Sequence, residues 1–346
     1  MTPADLSLTV LHAVRRAVGD GALRMEAPLP ERVKVERPRP GGRGDYATSA
    51  ALQLAGVAGL PARRVAEVLR DRLAGAPGIE AVEITGPGFL NFTLRGDSHA
   101  QLIARVRERG DRYGHGSALA GQILQYHHRR EVRAAVVTQA VARLQTVQGA
   151  LVRVGCDAVD PAWAALGVRV DAEGAPPTPL PEAVRPLPVT YDVYALGRDA
   201  ARWALLRPAA HDRALEARDV LPQTEANGLF TVRYAHARAR ALLRNAAQLG
   251  VTAAYEEDVD AGRLLTALGD HPAVLEAAAR HRASDRVARH LEATADAFLG
   301  FQHTVLPLGD EKPSAAHRSR LALAEAAGTV LAGGLALLGI SAPDYL

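Results

Sequence analysis

Between Glu173 and Pro188 the chain carries six prolines, Pro176, Pro177, Pro179, Pro181, Pro186 and Pro188. Each fixes φ and removes a backbone donor, so neither a helix nor a central strand can run through this stretch. It must be a linker or a wrapped loop, and regular structure has to be built on either side of it. Upstream, helical and alternating patterns mix. From Thr224 onward the pattern is almost entirely helical.

In the upstream part, Leu6–Val14 has helical spacing and Arg32–Glu36 alternates like a strand edge. The patterns of Ala47–Leu54 and Pro61–Leu73 predict helices, the second with proline in its first turn. Ile79–Thr85 and Phe89–Leu94 alternate across Gly86-Pro-Gly88, a hairpin signal. Asp97 is placed to cap a helix running to about Arg109. Ile123–Tyr126, Glu131–Val147 and Ala150–Val154 then read as one βαβ-like unit, and Asp199–Leu206 resumes helical spacing. Downstream, helices are expected near 222–249, 262–280, 285–304 and 314–338, with interruptions at Gly250, Gly269–Pro272, Ala283-Ser284 and Pro307–Pro313.

A length of 346 residues suits two or three domains. No run approaches the roughly 18 apolar residues of a membrane span, and the N-terminus lacks a basic lead into an apolar core. A cytoplasmic protein is expected, with no membrane partner. The single cysteine, Cys156, excludes an intrachain disulfide and a cysteine-based zinc site. Formal net charge is only +3, so a polyanion would be met by local stripes and not by a general positive field. His127 and His128 are adjacent, which sends them to opposite faces of a strand and makes a poor metal pair.

Gly44-Asp-Tyr-Ala-Thr-Ser-Ala-Ala-Leu-Gln-Leu-Ala55 and, at the matching distance, Gly86-Pro-Gly-Phe-Leu-Asn-Phe92 carry a family resemblance. They resemble the N-terminal additional domain of arginyl-tRNA synthetases. The resemblance implies that Asn91 is a surface residue contacting the tRNA D-loop, with Phe89 and Tyr46 beside it. An amide that both donates and accepts suits base-edge reading.

The last third resembles the same family's helical DALR anticodon-binding domain, through Asn227-Gly-Leu-Phe-Thr-Val-Arg-Tyr-Ala-His-Ala-Arg238, Ala297-Phe-Leu-Gly-Phe301 and Leu338-Gly-Ile-Ser-Ala-Pro343. The residues themselves add a physical argument, because Arg233, His236, Arg240 and Arg244 recur on one helical face and can meet successive phosphates. Phe230, Tyr234, Gln302 and Leu346 complete the expected anticodon-side set. Two departures bear on base stacking. Thr231 stands where the family has a second aromatic, and Gln302 where an aromatic follows the position of Phe301.

In such synthetases a His-Ile-Gly-His-type turn and a Lys-Met-Ser-Lys-Ser-type loop handle ATP. Here Tyr126-His-His-Arg-Arg130 stands before the βαβ helix without a glycine, and neither Lys34 nor Lys312 has a suitable context. Gln139–Leu144 and Leu196–Leu206 resemble the start and end of the catalytic domain, which reads as shortened from within. Three regions are therefore expected: an α+β N-terminal domain over 1–120, a reduced α/β middle that is a Rossmann remnant over 121–218, and an all-α helical bundle over 219–346. The function expected is non-catalytic binding of tRNA, with arginine tRNA first, or of a tRNA-like RNA. The alternatives are a protein-interaction module partnering a full-length synthetase or an aminoacyl-tRNA-using enzyme, and an arginine–tRNA ligase-like enzyme with a rebuilt middle. No catalytic residue, no enzyme activity, no metal and no cofactor is expected.

Overall fold

The computed structural model describes residues 3–25, 28–30, 33–38, 43–95, 97–176 and 183–346. It separates into two compact units, Met1–Leu102 and Ile103–Leu346.

In the first unit α1 (Pro3–Gly19) is followed by β1 (Val35–Glu36), β2 (Tyr46–Thr48), α2 (Ala50–Ala58), α3 (Ala62–Leu73), β3 (Ile79–Thr85) and β4 (Phe89–Leu94). The strands form an antiparallel sheet in the order β1-β2-β4-β3. Alternation decides which face is buried. Leu90 and Phe92 lie fully inside with Leu6, Val10 and Val14 of α1 and Leu69 and Leu73 of α3. The hairpin β3–β4 forms as its pattern requires. Its turn glycine, Gly88, sits so close to Ala62 that an added Cβ would lie 3.0 Å from that backbone, which seats the turn on the first residue of α3.

One boundary differs from expectation. Ala47, assigned to a helix by its pattern, is a strand residue paired with Asn91, and the helix begins three residues later. Thr48 is the cause: it is buried, and its hydroxyl donates to Lys34 O at 2.6 Å and accepts from Ala50 N. The Gly44-Asp45 pair is explained by the same strand. Gly44 has φ +77° and leaves 2.6 Å between a notional Cβ and Phe92 O, so only glycine fits. The Asp45 carboxylate accepts from Leu94 N at 2.8 Å.

α4 (Asp97–Arg109) leads into the second unit, which opens with β5 (Ile123–His128), α5 (Val132–Thr146) and β6 (Leu151–Cys156). These make the expected βαβ, with β5 and β6 parallel and a short third strand, β7 (Ala172–Glu173), parallel to β6. Glu131 caps α5 by accepting from Arg133 N and Ala134 N. Arg133 itself is fully buried without a carboxylate partner. It donates instead to the carbonyls of Leu187, Leu205, Ala209 and Asp212, so one guanidinium ties Leu187 of the proline-rich stretch to the backbone of residues 205–212. Prolines 177, 179 and 181 lie outside the described residues.

α6 (Arg198–Leu206), α7 (Ala217–Val220), α8 (Gly228–Gln248), α9 (Gly262–His281), α10 (Ser284–Phe301) and α11 (Ala315–Leu338) follow. α9 runs straight through Gly269–Pro272, where an interruption was expected. Pro272 cannot donate to Leu268 O, but Tyr113 Oη does so at 2.9 Å, and the freed carbonyl is satisfied from outside the helix. α11 is long and apolar enough to cross a membrane by length and composition, yet 67% of its most apolar stretch is buried against its neighbours within this unit.

Candidate nucleic-acid interface

α8 begins where Asn227 accepts from Leu229 N and Phe230 N, and its exposed side carries most of the expected residues. At 3.6 residues per turn, the order around the helix is His236, Arg240, Arg233, Arg244, Phe230, Tyr234, Arg238. Phe230 and Tyr234 stack, with ring centroids 5.8 Å apart and planes at 18°. Arginines therefore border an aromatic pair on both sides. Arg238 Nε donates to Gln302 Oε1 at 2.6 Å, which joins α8 to the end of α10.

Thr231 corrects one expectation. It is 8% exposed, and its hydroxyl donates back to Asn227 O at 3.2 Å. The position faces inward, so an aromatic lost there takes no ring from the exposed face of α8.

The arginine row has company. After α11, Gly339 reverses the chain with φ +74°, pressed against two guanidiniums: its notional Cβ would lie 2.3 Å from Arg143 and 2.6 Å from Arg202. The last residues then return along α8. His236 Nδ1 donates to Pro343 O at 3.0 Å, Arg240 Nε to Asp344 Oδ1 at 3.1 Å, and Arg244 lies over the Tyr345 ring at 4.2 Å. Burial holds His236 below the usual imidazole range, so it is a neutral donor here. Arg233 faces Asp199 Oδ2 at 3.8 Å, and Ser341 Oγ donates to the same carboxylate. Nothing in the linear spacing announces Asp199, Asp344 or Tyr345 as neighbours of the row. The chain reversal at Gly339 brings Asp344 and Tyr345 there, and the start of α6 supplies Asp199.

Beside this face lies a cleft of about 280 Å³, lined among others by Arg198, Asp199, Asn227, Phe230, Arg233 and Leu346. The two segments that resemble the ends of a longer domain meet beneath it. Arg202 of α6 donates to Gln139 Oε1 of α5 at 3.1 Å and to Leu338 O at 2.7 Å. Burial, reinforced by Arg143 and Arg198, pulls the Arg202 guanidinium down to about 9.

In the first unit the expected D-loop residues do not share an exposed surface. Asn91 is 5% exposed and donates to Thr85 Oγ1 at 2.7 Å across the hairpin. Tyr46, opposite Phe92, is also buried, with Arg37 over its ring at 5.6 Å. Phe89 alone of the three is exposed, at 40%. The sheet explains the difference, since Asn91 sits on a central strand between Ala47 and Glu83, whereas Phe89 is the first strand residue after the turn.

Of the Tyr126–Arg130 segment, His127 Nε2 meets Asp157 Oδ1 at 2.7 Å and His128 is buried against Trp163. Among the described residues no group of three or more His, Cys, Asp or Glu is placed to hold a metal.

Comparison with known proteins bears on both units. Residues 6–94 match the arginyl tRNA synthetase N terminal domain, and residues 232–346 match the DALR anticodon binding domain. This order, around a small parallel sheet, defines an arginyl-tRNA-synthetase-like protein with an anticodon-binding domain. An arginine–tRNA ligase of Frankia alni is 29% identical with the whole of both chains covered, and one of Renibacterium salmoninarum is 40% identical over 44% of this chain and 30% of its own. Among solved structures, Thermus thermophilus arginyl-tRNA synthetase shares the fold with a TM-score of 0.74 at 14% identity, covering both chains fully, and the Plasmodium falciparum enzyme does so at 0.68 and 8%, covering 99% of each. The chain belongs to the arginyl-tRNA synthetase family.

This likeness overturns one expectation. Complete coverage at 25–29% identity to arginine–tRNA ligases points to a synthetase enzyme, against the inference from missing ATP-handling motifs that the chain is not an enzyme. The alignment with the Frankia alni enzyme is longer than this chain. It runs over 557 residues against 346 here, so at least 211 of its positions have no counterpart in this chain.

Proposed function

We propose that this member of the family binds tRNA, taking the anticodon arm on the exposed side of α8 and the elbow on the hairpin β3–β4. The observation that carries the reading is the stacked Phe230–Tyr234 pair bordered by arginines within the segment that matches an anticodon-binding domain. Ring faces stack on any base, and guanidiniums beside them meet the phosphates of the same strand. In the first unit Phe89 would make the contact, while Asn91 acts from within the sheet by holding Thr85 and thereby the hairpin. Because the relatives matched over their full length are named arginine–tRNA ligases, tRNA for arginine is the first RNA to test. A cytoplasmic location belongs to the same proposal.

Sequencing the RNA that co-purifies with the full chain tests the partner. Enrichment of tRNA over ribosomal and messenger fragments is expected. RNA no different from the lysate would remove the assignment.

A further inference from the structure

The first unit holds a feature that the tRNA-binding reading leaves unused, a hollow of about 690 Å³ between α1 and the end of α3. Its walls are Thr9, His12, Arg15 and Arg16 of α1, then Arg72 and the Ala74–Pro77 loop. Residues 9, 12 and 16 fall on one helical face, with 15 beside them, so the sequence turns three cationic or cation-forming side chains toward the same opening. None of the lining residues carries a carboxylate.

The cations divide by what already occupies them. Arg72 gives Nη2 to both oxygens of Asp20 at 2.8 Å and Nη1 to Val68 O at 3.1 Å, which fixes its plane. Its Nε is buried without a hydrogen-bond partner. Arg16 Nη2 donates to Arg72 O at 2.9 Å, which ties α1 to α3 and leaves the rest of its fork available. Among the described residues no hydrogen bond or ion pair engages His12 or Arg15. A guanidinium paired with Asp20, one held by a carbonyl, one free and an imidazole thus surround a space whose lining residues carry no carboxylate.

We infer that this hollow is an anion site that takes a backbone phosphate of the bound RNA, a contact separate from the hairpin. Forked donors from several directions suit a phosphodiester, whose two free oxygens accept from more than one guanidinium. RNA is favoured over an isolated anion by the position along α3. The hairpin turn rests on Ala62 at the start of that helix and the hollow lies at its end, twelve residues on and about 18 Å along the axis. A strand touching Phe89 can reach the hollow within a few nucleotides. The inference rests on the proposed tRNA binding, and its test separates the two.

The experiment uses the full chain and Arg15→Gln, with Arg70→Gln as a control that removes the same charge from a side chain of α3 already paired with Asp71 outside the hollow. Binding of a tRNA transcript is measured over a salt series. Arg15→Gln is expected to weaken binding and lower the log–log salt slope by about one, while Arg70→Gln leaves the slope unchanged. In parallel, inorganic phosphate is titrated against chloride at equal ionic strength while the His12 ring resonances, identified by their loss in His12→Gln, are followed by NMR. Phosphate should move them in the wild type and move them less in Arg15→Gln. Unmoved resonances overturn the anion site whatever the RNA does. Moved resonances with an unchanged tRNA slope in Arg15→Gln overturn RNA as its occupant. Absence of tRNA binding by the wild type removes the proposed function, and this occupant with it.

Discussion

Arg240 Nε stands 3.1 Å from Asp344 Oδ1, so the middle of the arginine row on α8 is met by a carboxylate of the chain's own last residues. Both side chains are 48% exposed, and an exposed ion pair contributes at most about 1 kcal/mol. This pair is therefore weak, and it occupies a charge that phosphate would otherwise engage. Asp344→Asn is expected to leave the melting temperature almost unchanged and to raise tRNA affinity at fixed salt, with a steeper salt dependence. Weaker binding in this variant would mean that Asp344 is part of the RNA site and no competitor of it.

Tyr234, 40% exposed and stacked on Phe230, is the ring best placed to take a base. Tyr234→Ala should cost about 1–3 kcal/mol in binding an anticodon stem-loop, the usual size for one stacked base. Thr231→Phe should not improve binding. It places a large side chain at an inward position and is expected to destabilise the helical region by about 1–3 kcal/mol in denaturant unfolding.

Asn91 and Phe89 should respond in opposite ways. Asn91→Ala breaks a buried side-chain hydrogen bond to Thr85 and should lower stability by about 1 kcal/mol, read from denaturant midpoints. Phe89→Ala removes an exposed ring, so stability should hold while binding of intact tRNA weakens and binding of an isolated anticodon stem-loop does not.

The helical region has an acid-sensitive core. His271 and His290 lie with ring centroids 5.2 Å apart, Tyr113 stacks on His271 at 5.8 Å, and His115 acts on His271 as a further like charge. His271 Nδ1 and His290 Nε2 are buried without partners. Burial pushes His290 down to about 4 and His271 well below the imidazole range. A depressed folded-state value means the unfolded chain takes up the proton first. Stability is thus complete above about pH 6.5 and is lost as the pH falls toward 4, by about 3 kcal/mol for His290 alone. Unfolding midpoints between pH 8 and pH 4.5 should show the decline, and His290→Leu should flatten it.

Local patterns carried much of this fold. The hairpin, the βαβ unit and the downstream helices were legible because alternation and helical spacing report burial directly. What escaped depended on contacts distant in sequence. The start of α2 was misplaced because Thr48 is held by Lys34 O, and Pro272 seemed to end a helix because its substitute donor, Tyr113, lies 155 positions from the carbonyl it serves. The arginine row was legible from spacing, but the tail that covers it was not. Asn91 was misjudged as a surface reader because a motif gives the order of residues and leaves the covering of a central strand unsaid.

The proposed tRNA binding requires the row on α8 to hold RNA phosphates. Wild type and the triple variant Arg233→Gln, Arg240→Gln, Arg244→Gln are compared for tRNA binding between low and physiological salt. The wild-type affinity should fall steeply with salt, and the variant should lose about two to three units of log–log slope, close to 0.7–0.9 for each phosphate released. A folded variant that binds with the wild-type slope and affinity would show that the row is a solvated helix face, and would overturn the proposed anticodon side.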